Sequence, residues 1–421
     1  MSKRTKFAAA LSAALIIGTG AMAETDLDIK FSGALEFAED GTLFVGDNHN
    51  GAIYAFEIPA EVSEGQIMPS SIANIDAKIA ELLGVNAGAV EINDIAAHPL
   101  SNDIYISVTR IGNLASQPAI VLVSQDQTLR LLDLSTFQFQ KQELTEFPNS
   151  EVTFGVRGAG PFPPLPRDIA KGERPLNTLA IMDMEYYQGE LFVSGVATDN
   201  FLSTLRRMSY PFDGAQSVSN VEMFHITHDQ YESRAPIRAM SVQEIDGIPQ
   251  LVAAYTCSPI VLVPLDEIED GAKISARTIM DYGNGQPLDM IAFNFQSPMG
   301  GEAAPMLFVT SDSRSPQVIP LDGLQNAQVV THDVLPRGPK LDMHPLMPYG
   351  PVGKAVMFNG TPLHTTLVGG GFFTSVTRDP YTGNLNLDTN PTWFPNRIHD
   401  MLAEFDFPQY DPAASKARMA N

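Results

Sequence analysis

Short apolar runs, alternating or continuous, recur along the chain between clusters of turn-forming residues. Phe31 to Ile58 divides into ALEFA, a turn at Glu39-Asp40-Gly41, TLFVGD, a turn at Asn48-His49-Asn50-Gly51, and AIYAFEI. Alternation of period two predicts strands. Asp-Gly and Asn-Gly accept the positive φ that tight hairpins need, so the three runs read as antiparallel neighbours. The unit returns with other turns. Further units start near Ile92, Asn177, Pro236, Pro287 and Val352, with turns at Gln188-Gly189, Asp246-Gly247 and Pro380 to Gly383. The 32 Gly and 31 Pro are spread along the whole chain and argue against long helices.

Each unit is a small sheet that cannot bury both faces alone. Stacking such sheets around an axis predicts an all-β fold, a β-propeller of six or seven blades. Phe137 to Ser150 with Val152 to Val156 is the stretch where a seventh blade fits. Two packed sandwiches are the alternative architecture. Two insertions interrupt the pattern. Ile72 to Val85 has apolar residues at Ile75, Ile79, Leu82 and Leu83, a helical spacing that predicts one amphipathic helix packed between the first two blades. Phe154 to Pro175 is a Pro/Gly-rich loop with no expected regular structure, suited either to a lid or to a surface tether.

The first 23 residues stand apart. Lys3, Arg4 and Lys6 precede the apolar run Phe7 to Ile17, and Ala21-Met22-Ala23 offers a small-residue cleavage site. This layout predicts a signal peptide over 1–23, with the propeller domain at 24–407 and a flexible tail at 408–421. The apolar run is short for a membrane anchor, which needs about 20 residues. The expected address is periplasmic or secreted, without a membrane span. The formal net charge of −23 repels phosphate backbones and makes nucleic acid an improbable partner. A small-molecule ligand, a metal ion or a partner protein is compatible with it.

The string EFAEDGTLFVGDNHNGAIYAFEI resembles the blades of secreted bacterial propellers of the NHL and gluconolactonase-like kind. HITHDQYESRAPIRAM, His225 to Met240, and YTCSPIVLVPLDEI, Tyr255 to Ile268, resemble uncharacterised bacterial propeller proteins. The resemblance implies the fold. It also implies a channel-bound divalent cation held by Glu, Asn and Asp residues, for which Glu36, Asn93, Asp94, Asn177 and Asp289 are available types without a motif that assigns them.

The innermost strand of each propeller blade lines the central channel, where a polar side chain is costly unless paired, hydrated or holding a ligand. The first strands bring Asn93, Asp94, Asn177, Arg238 and Asp289 as candidate ligand-binding residues. Asp94 and Asp289 suit a hard cation such as calcium. Arg238 suits either those carboxylates or an anionic substrate. Softer donors form a second candidate set for zinc or copper: His225 and His228 in H-I-T-H, His344 in LDMHPLMPYG, His364 and the lone Cys257. Cys257 is alternatively a buried, inert thiol. His98 follows the second unit's first strand. No G-x-S-x-G elbow, Walker loop or C-x-x-C-H segment is present. Two functions remain: a binding protein that takes a small ligand or partner at the channel mouth, or a metal-dependent enzyme. The enzyme would be a lactone or ester hydrolase with oxygen ligands, or an oxidoreductase with His and Cys ligands.

Overall fold

The computed structural model describes residues 27–392 apart from 64, 111–117, 156–172, 199, 201, 257–258, 282–285, 296–301, 313–315, 322–323, 325–326, 328, 334–353, 356–359 and 380. The expected signal peptide, the C-terminal tail, Cys257 and His344 lie outside these residues.

The chain is mostly β, with 55% strand and one α-helix among the described residues, in a propeller-like arrangement. Four separate four-stranded sheets accompany a larger one in which two four-stranded halves join. We number these six units by their first strands: Leu35–Phe37, Val90–Ala97, Asp183–Tyr187, Ile237–Ile245, Pro287–Phe295 and Thr361–Val368. The third and fourth units join through parallel pairing of Asn220–Met223 with Lys273–Ala276, at their outermost strands.

Local chemistry explains the hairpins. Gln188 and Gly189 have φ of 49° and 86°, and Asp246 and Gly247 have 55° and 74°. Two consecutive positive φ angles make the two-residue turn whose twist matches that of the strands it joins. The middle strands are the most buried. Thr42–Asp47 is buried throughout, as are all but the first residue of Glu190–Ala197. Both their faces pack against neighbouring sheets, so they read as continuous apolar runs.

The first strands touch side by side in a closed ring that runs second, first, third, fourth, fifth, sixth and back to second. Chain order is therefore broken at the first two units. Two outer strands make the exchange possible. Phe139–Glu143 returns after the second unit to become the fourth strand of the first sheet. Ser70–Ile72 leaves the first unit to become the fourth strand of the sixth sheet, pairing Ile72 with Leu387. The stretch considered for a seventh blade thus supplies an outer strand of the first sheet and half of a short ladder, Thr153–Gly155 with Glu173–Pro175. That ladder also gives the ends of the Pro/Gly-rich loop a regular structure that the composition did not predict. Lys354–Ala355, read from sequence as opening the sixth unit, closes the fifth.

The helix forms at Ile75–Leu82, with Ile75 and Ile79 fully buried. It packs between the second and sixth sheets, not the first two units, in one cluster with Ile92, Ile106, Val376 and Leu387. Leu82, predicted for its apolar face, is 39% exposed.

Candidate functional site

The inner edge of each sheet would leave backbone N–H groups without ladder partners, and buried donors must find acceptors. Three aspartates solve this problem in the same way. Asp94, Asp183 and Asp289 lie on the first strands of the second, third and fifth sheets, alternate members of the ring. One carboxylate oxygen of each accepts the next residue's own N–H: Ile95 at 2.8 Å, Met184 at 2.8 Å and Met290 at 2.7 Å. The other accepts an N–H from the following sheet: Leu35 at 2.8 Å, Met240 at 2.7 Å and Thr365 at 2.7 Å.

A hydroxyl accompanies each aspartate. Ser107 Oγ lies within hydrogen-bond reach of the carbonyls of Asp94 and Gly33. Ser194 Oγ does the same for Asp183 and Ile237, and Thr310 Oγ1 for Asp289 and Leu363. The device therefore occurs three times, each copy joining two neighbouring sheets. Breaks in pairing register fall beside it at Ile92/Asp94 and Pro287/Met290, and in the receiving strands at Ile237/Ala239 and Pro362/Thr365. Bulges re-aim side chains in this way. In the receiving strands, Ala34 and His364 each stand alone between the bridged carbonyl and the bonded N–H, whereas Arg238 and Ala239 together occupy that place in the fourth sheet.

The three aspartates line two cavities. One, of about 200 Å³, is also lined by Asn93, Arg238, Asp312, His364 and Arg378. The other, of about 550 Å³, is lined by Glu36, Glu185, Ser241 and Gln243 together with apolar residues. Asp94, Asp183 and Asp289 thus form the waist of the channel, with Arg238 and Arg378 beside Asp312 on one side and Glu36 and Glu185 on the other.

Burial dominates the electrostatics. Desolvation, reinforced by the neighbouring carboxylates, holds Asp94 and Asp183 well above the usual range. Desolvation pushes Asp289 up to about 7, with Arg238 partly opposing it. On the far side, Glu185 rises to about 7 and Glu36 rises well above its usual value, in both cases chiefly through burial. Burial, then the nearby Arg238 and Arg378, lowers His364 to about 3, so its imidazole is neutral. Arg238 is lowered to about 10 by burial. Arg238 is 8% exposed, and its Nη1 has no hydrogen-bond partner among the described residues.

A ligand set emerges at the waist. Asp94, Asp289 and His364 each present a donor atom within 4.8 Å of the others. His364 Nδ1 lies 3.7 Å from Asp94 Oδ1. Zinc bonds of about 2.0–2.1 Å hold tetrahedral donors about 3.3 Å apart, so little movement separates this group from a coordination sphere.

The structure brings Asn93, Asp94, Arg238 and Asp289 to one cavity. Asn93 donates to the Ser32 carbonyl and to Thr109 Oγ1. Asn177 is not on a first strand. It belongs to the 3-10 turn Leu176–Leu179, where its amide donates to the Asn48 carbonyl at 3.1 Å, because the third unit's first strand starts only at Asp183. His98 is buried and structural: its Nδ1 accepts the Leu100 and Ser101 N–H groups, and its Nε2 lies 3.2 Å from the Ile58 carbonyl. His225 and His228 do not gather at the channel mouth with His364. His225 ends the outermost strand of the third sheet, His228 follows it, and both meet Glu232 instead. Sequence reasoning missed Asp183 and Glu232. A signal for Asp183 exists: Asp94-Ile95, Asp183-Met184 and Asp289-Met290 repeat an Asp followed by a large aliphatic residue on alternate first strands.

No family model matches the chain, and no curated protein matches it. Among solved structures it is similar to extracellular domains 1-2 of Drosophila semaphorin 1b, at 9% identity and a TM-score of 0.37, over 86% of this chain and 85% of that one. It is also similar to a glucose dehydrogenase, at 10% identity and 0.31, over 85% and 96%. A luciferin-regenerating enzyme matches at 11% and 0.24, over 67% and 84%. These are distant propeller likenesses. They concern the fold, and the neighbours range from binding proteins to enzymes.

Proposed function

We propose that the chain is a six-bladed propeller, exported to the periplasm or beyond after removal of residues 1–23, whose hub binds a small anionic ligand together with a zinc ion. One observation carries this reading. A buried arginine whose Nη1 has no partner among the described residues and a convergent Asp94–Asp289–His364 group line the same cavity of about 200 Å³. Leaving a guanidinium donor unpaired costs about 1–3 kcal/mol or more, and an oxyanion removes that cost. The two carboxylates and the neutral imidazole would hold zinc, a mixed oxygen and nitrogen set that suits it better than calcium. The ion would offer an open position to a ligand oxygen while Arg238 donates to another. The volume falls below the roughly 300–1,000 Å³ of drug-sized pockets, so the ligand class is a small carboxylate or similar metabolite.

A second reading, hydrolysis of a small lactone or ester, draws support from Asp183. It lines the same cavity, and burial with the neighbouring carboxylates raises its carboxyl well above the usual range, which favours the proton-donating form toward a leaving oxygen. Zinc would supply Lewis acidity.

Titration calorimetry on the full chain tests the main reading. An Asp94→Ala plus Asp289→Ala variant should lose one zinc equivalent, and Arg238→Gln should keep zinc and lose small dicarboxylates such as malonate. Unchanged zinc stoichiometry in the double variant would overturn the metal assignment.

A further inference from the structure

The rim of the third sheet carries a second convergence of donors, independent of the hub. His225 ends the outer strand Ser217–His225, and Ile226–His228 makes one 3-10 turn. Asp229 then adopts φ 55°, a left-handed conformation that Asp tolerates better than most residues, and reverses the chain. Gln230–Glu232 pairs back antiparallel on Met223–His225. The reversal sets both imidazoles against one carboxylate. His225 Nδ1 lies 2.7 Å from Glu232 Oε2, and His228 Nδ1 lies 2.6 Å from Glu232 Oε1. The two rings are 4.2 Å apart between centroids.

We propose that His225, His228 and Glu232 form a second transition-metal site, for zinc or copper(II). Two imidazoles and a carboxylate are a donor set that these ions accept and that calcium, which wants oxygen, does not. The three donor atoms already lie within 4.8 Å of one another. Metal bonds of about 2.0–2.1 Å require donors about 3.3 Å apart, so the group opens by roughly half an ångström to admit an ion.

Its surroundings are built to hold it. His225 and Glu232 keep 6% and 19% of their side-chain exposure, whereas His228 keeps 53%, which leaves the remaining coordination position facing solvent. Gln230 Nε2 donates to Glu232 Oε1 at 2.8 Å and orients the carboxylate. Asp229 Oδ1 lies 2.7 Å from His332 Nδ1, and nearby Val330 packs on Phe224 and Ile226 while its N–H donates to the Thr278 carbonyl of the fourth sheet. A bound ion would therefore staple the hairpin beside the joint where the third and fourth sheets merge.

Electron paramagnetic resonance of the full chain titrated with copper(II) tests this. The expected result is a species with hyperfine coupling to two nitrogens. In His228→Gln it should fall to one nitrogen, with affinity reduced at least tenfold. Asp289→Asn should leave the two-nitrogen species in place, because the Asp94–Asp289–His364 group offers one imidazole among the described residues. A two-nitrogen signal untouched by His228→Gln, or none in folded wild-type protein, means that the three residues make ordinary His–Glu hydrogen bonds only and overturns the proposal. Loss of hub zinc in Asp289→Asn bears on the hub alone, so the two readings fail separately.

Discussion

Asp289 Oδ2 accepts the backbone N–H of Thr365 at 2.7 Å, across the boundary between the fifth and sixth sheets. Asp94 bonds Leu35 and Asp183 bonds Met240 in the same manner, so one carboxylate at each of three boundaries is both a structural acceptor and a wall of the channel. Each oxygen in this arrangement accepts one N–H and retains a second lone pair. The same groups can therefore tie the ring and face a cation.

Asp289→Asn separates these roles. The amide NH₂ would confront a backbone N–H, leaving two donors opposed. We expect a loss of about 1–3 kcal/mol in urea unfolding, and zinc affinity reduced at least tenfold in calorimetry. Stability and zinc binding both unchanged would show that the aspartate serves neither purpose.

The pH dependence has a definite sign. Asp289 and Glu185 titrate near 7 in the folded chain, against about 4 when unfolded, so the native state binds more protons between these values. Their contribution is fully present below the unfolded pKa and is lost as pH rises through about 7. His364, lowered to about 3, acts oppositely but only up to its unfolded value of about 6.5. Between pH 6.5 and 8 the carboxylates act without that opposition. The melting temperature of chelator-treated protein should fall over this window, and zinc should flatten the slope. A melting temperature that rises from pH 6.5 to 8 without zinc would be the opposite outcome.

Arg238→Gln should have two effects of opposite direction. Small-anion affinity should drop about tenfold or more, since a charge-assisted bond contributes about 1.5–3 kcal/mol. Zinc affinity should rise, because a cation beside the ligand set has been removed. Parallel loss of both in calorimetry would place Arg238 in the support of the fold instead.

Closure of the ring depends on a segment distant in sequence from the sheet that it completes. Ile75 and Ile79 are fully buried between the second and sixth sheets, next to the strand Ser70–Ile72. Ile79→Ala should cost about 2–5 kcal/mol in chemical denaturation. A cost below about 1 kcal/mol would mean that this joint contributes little.

The sheets were legible where chemistry is local. Gln188-Gly189 and Asp246-Gly247 announce hairpins because few residue pairs tolerate two positive φ angles. Asp94 and Asp289 stood out as ionisable residues in apolar first strands. Asp183 has the same setting, but the 3-10 turn Leu176–Leu179 precedes it, and its apolar residues blurred into the strand and shifted the expected start to Asn177. Ring order was not legible. Apolar alternation marks which residues form a sheet and not which sheet lies beside it. The strands Ser70–Ile72 and Phe139–Glu143 are short and partly exposed, and their partners are remote in sequence. Glu232 escaped notice because only the reversal at Asp229 turns it onto the two histidines.

The central claim is that groups from three sheets converge on one cation at the hub. A crystal grown with zinc and measured across the zinc absorption edge tests it directly. The account predicts an anomalous peak within bonding distance of Asp94, Asp289 and His364. A hub without such a peak, in crystals whose zinc sites lie elsewhere, would contradict it.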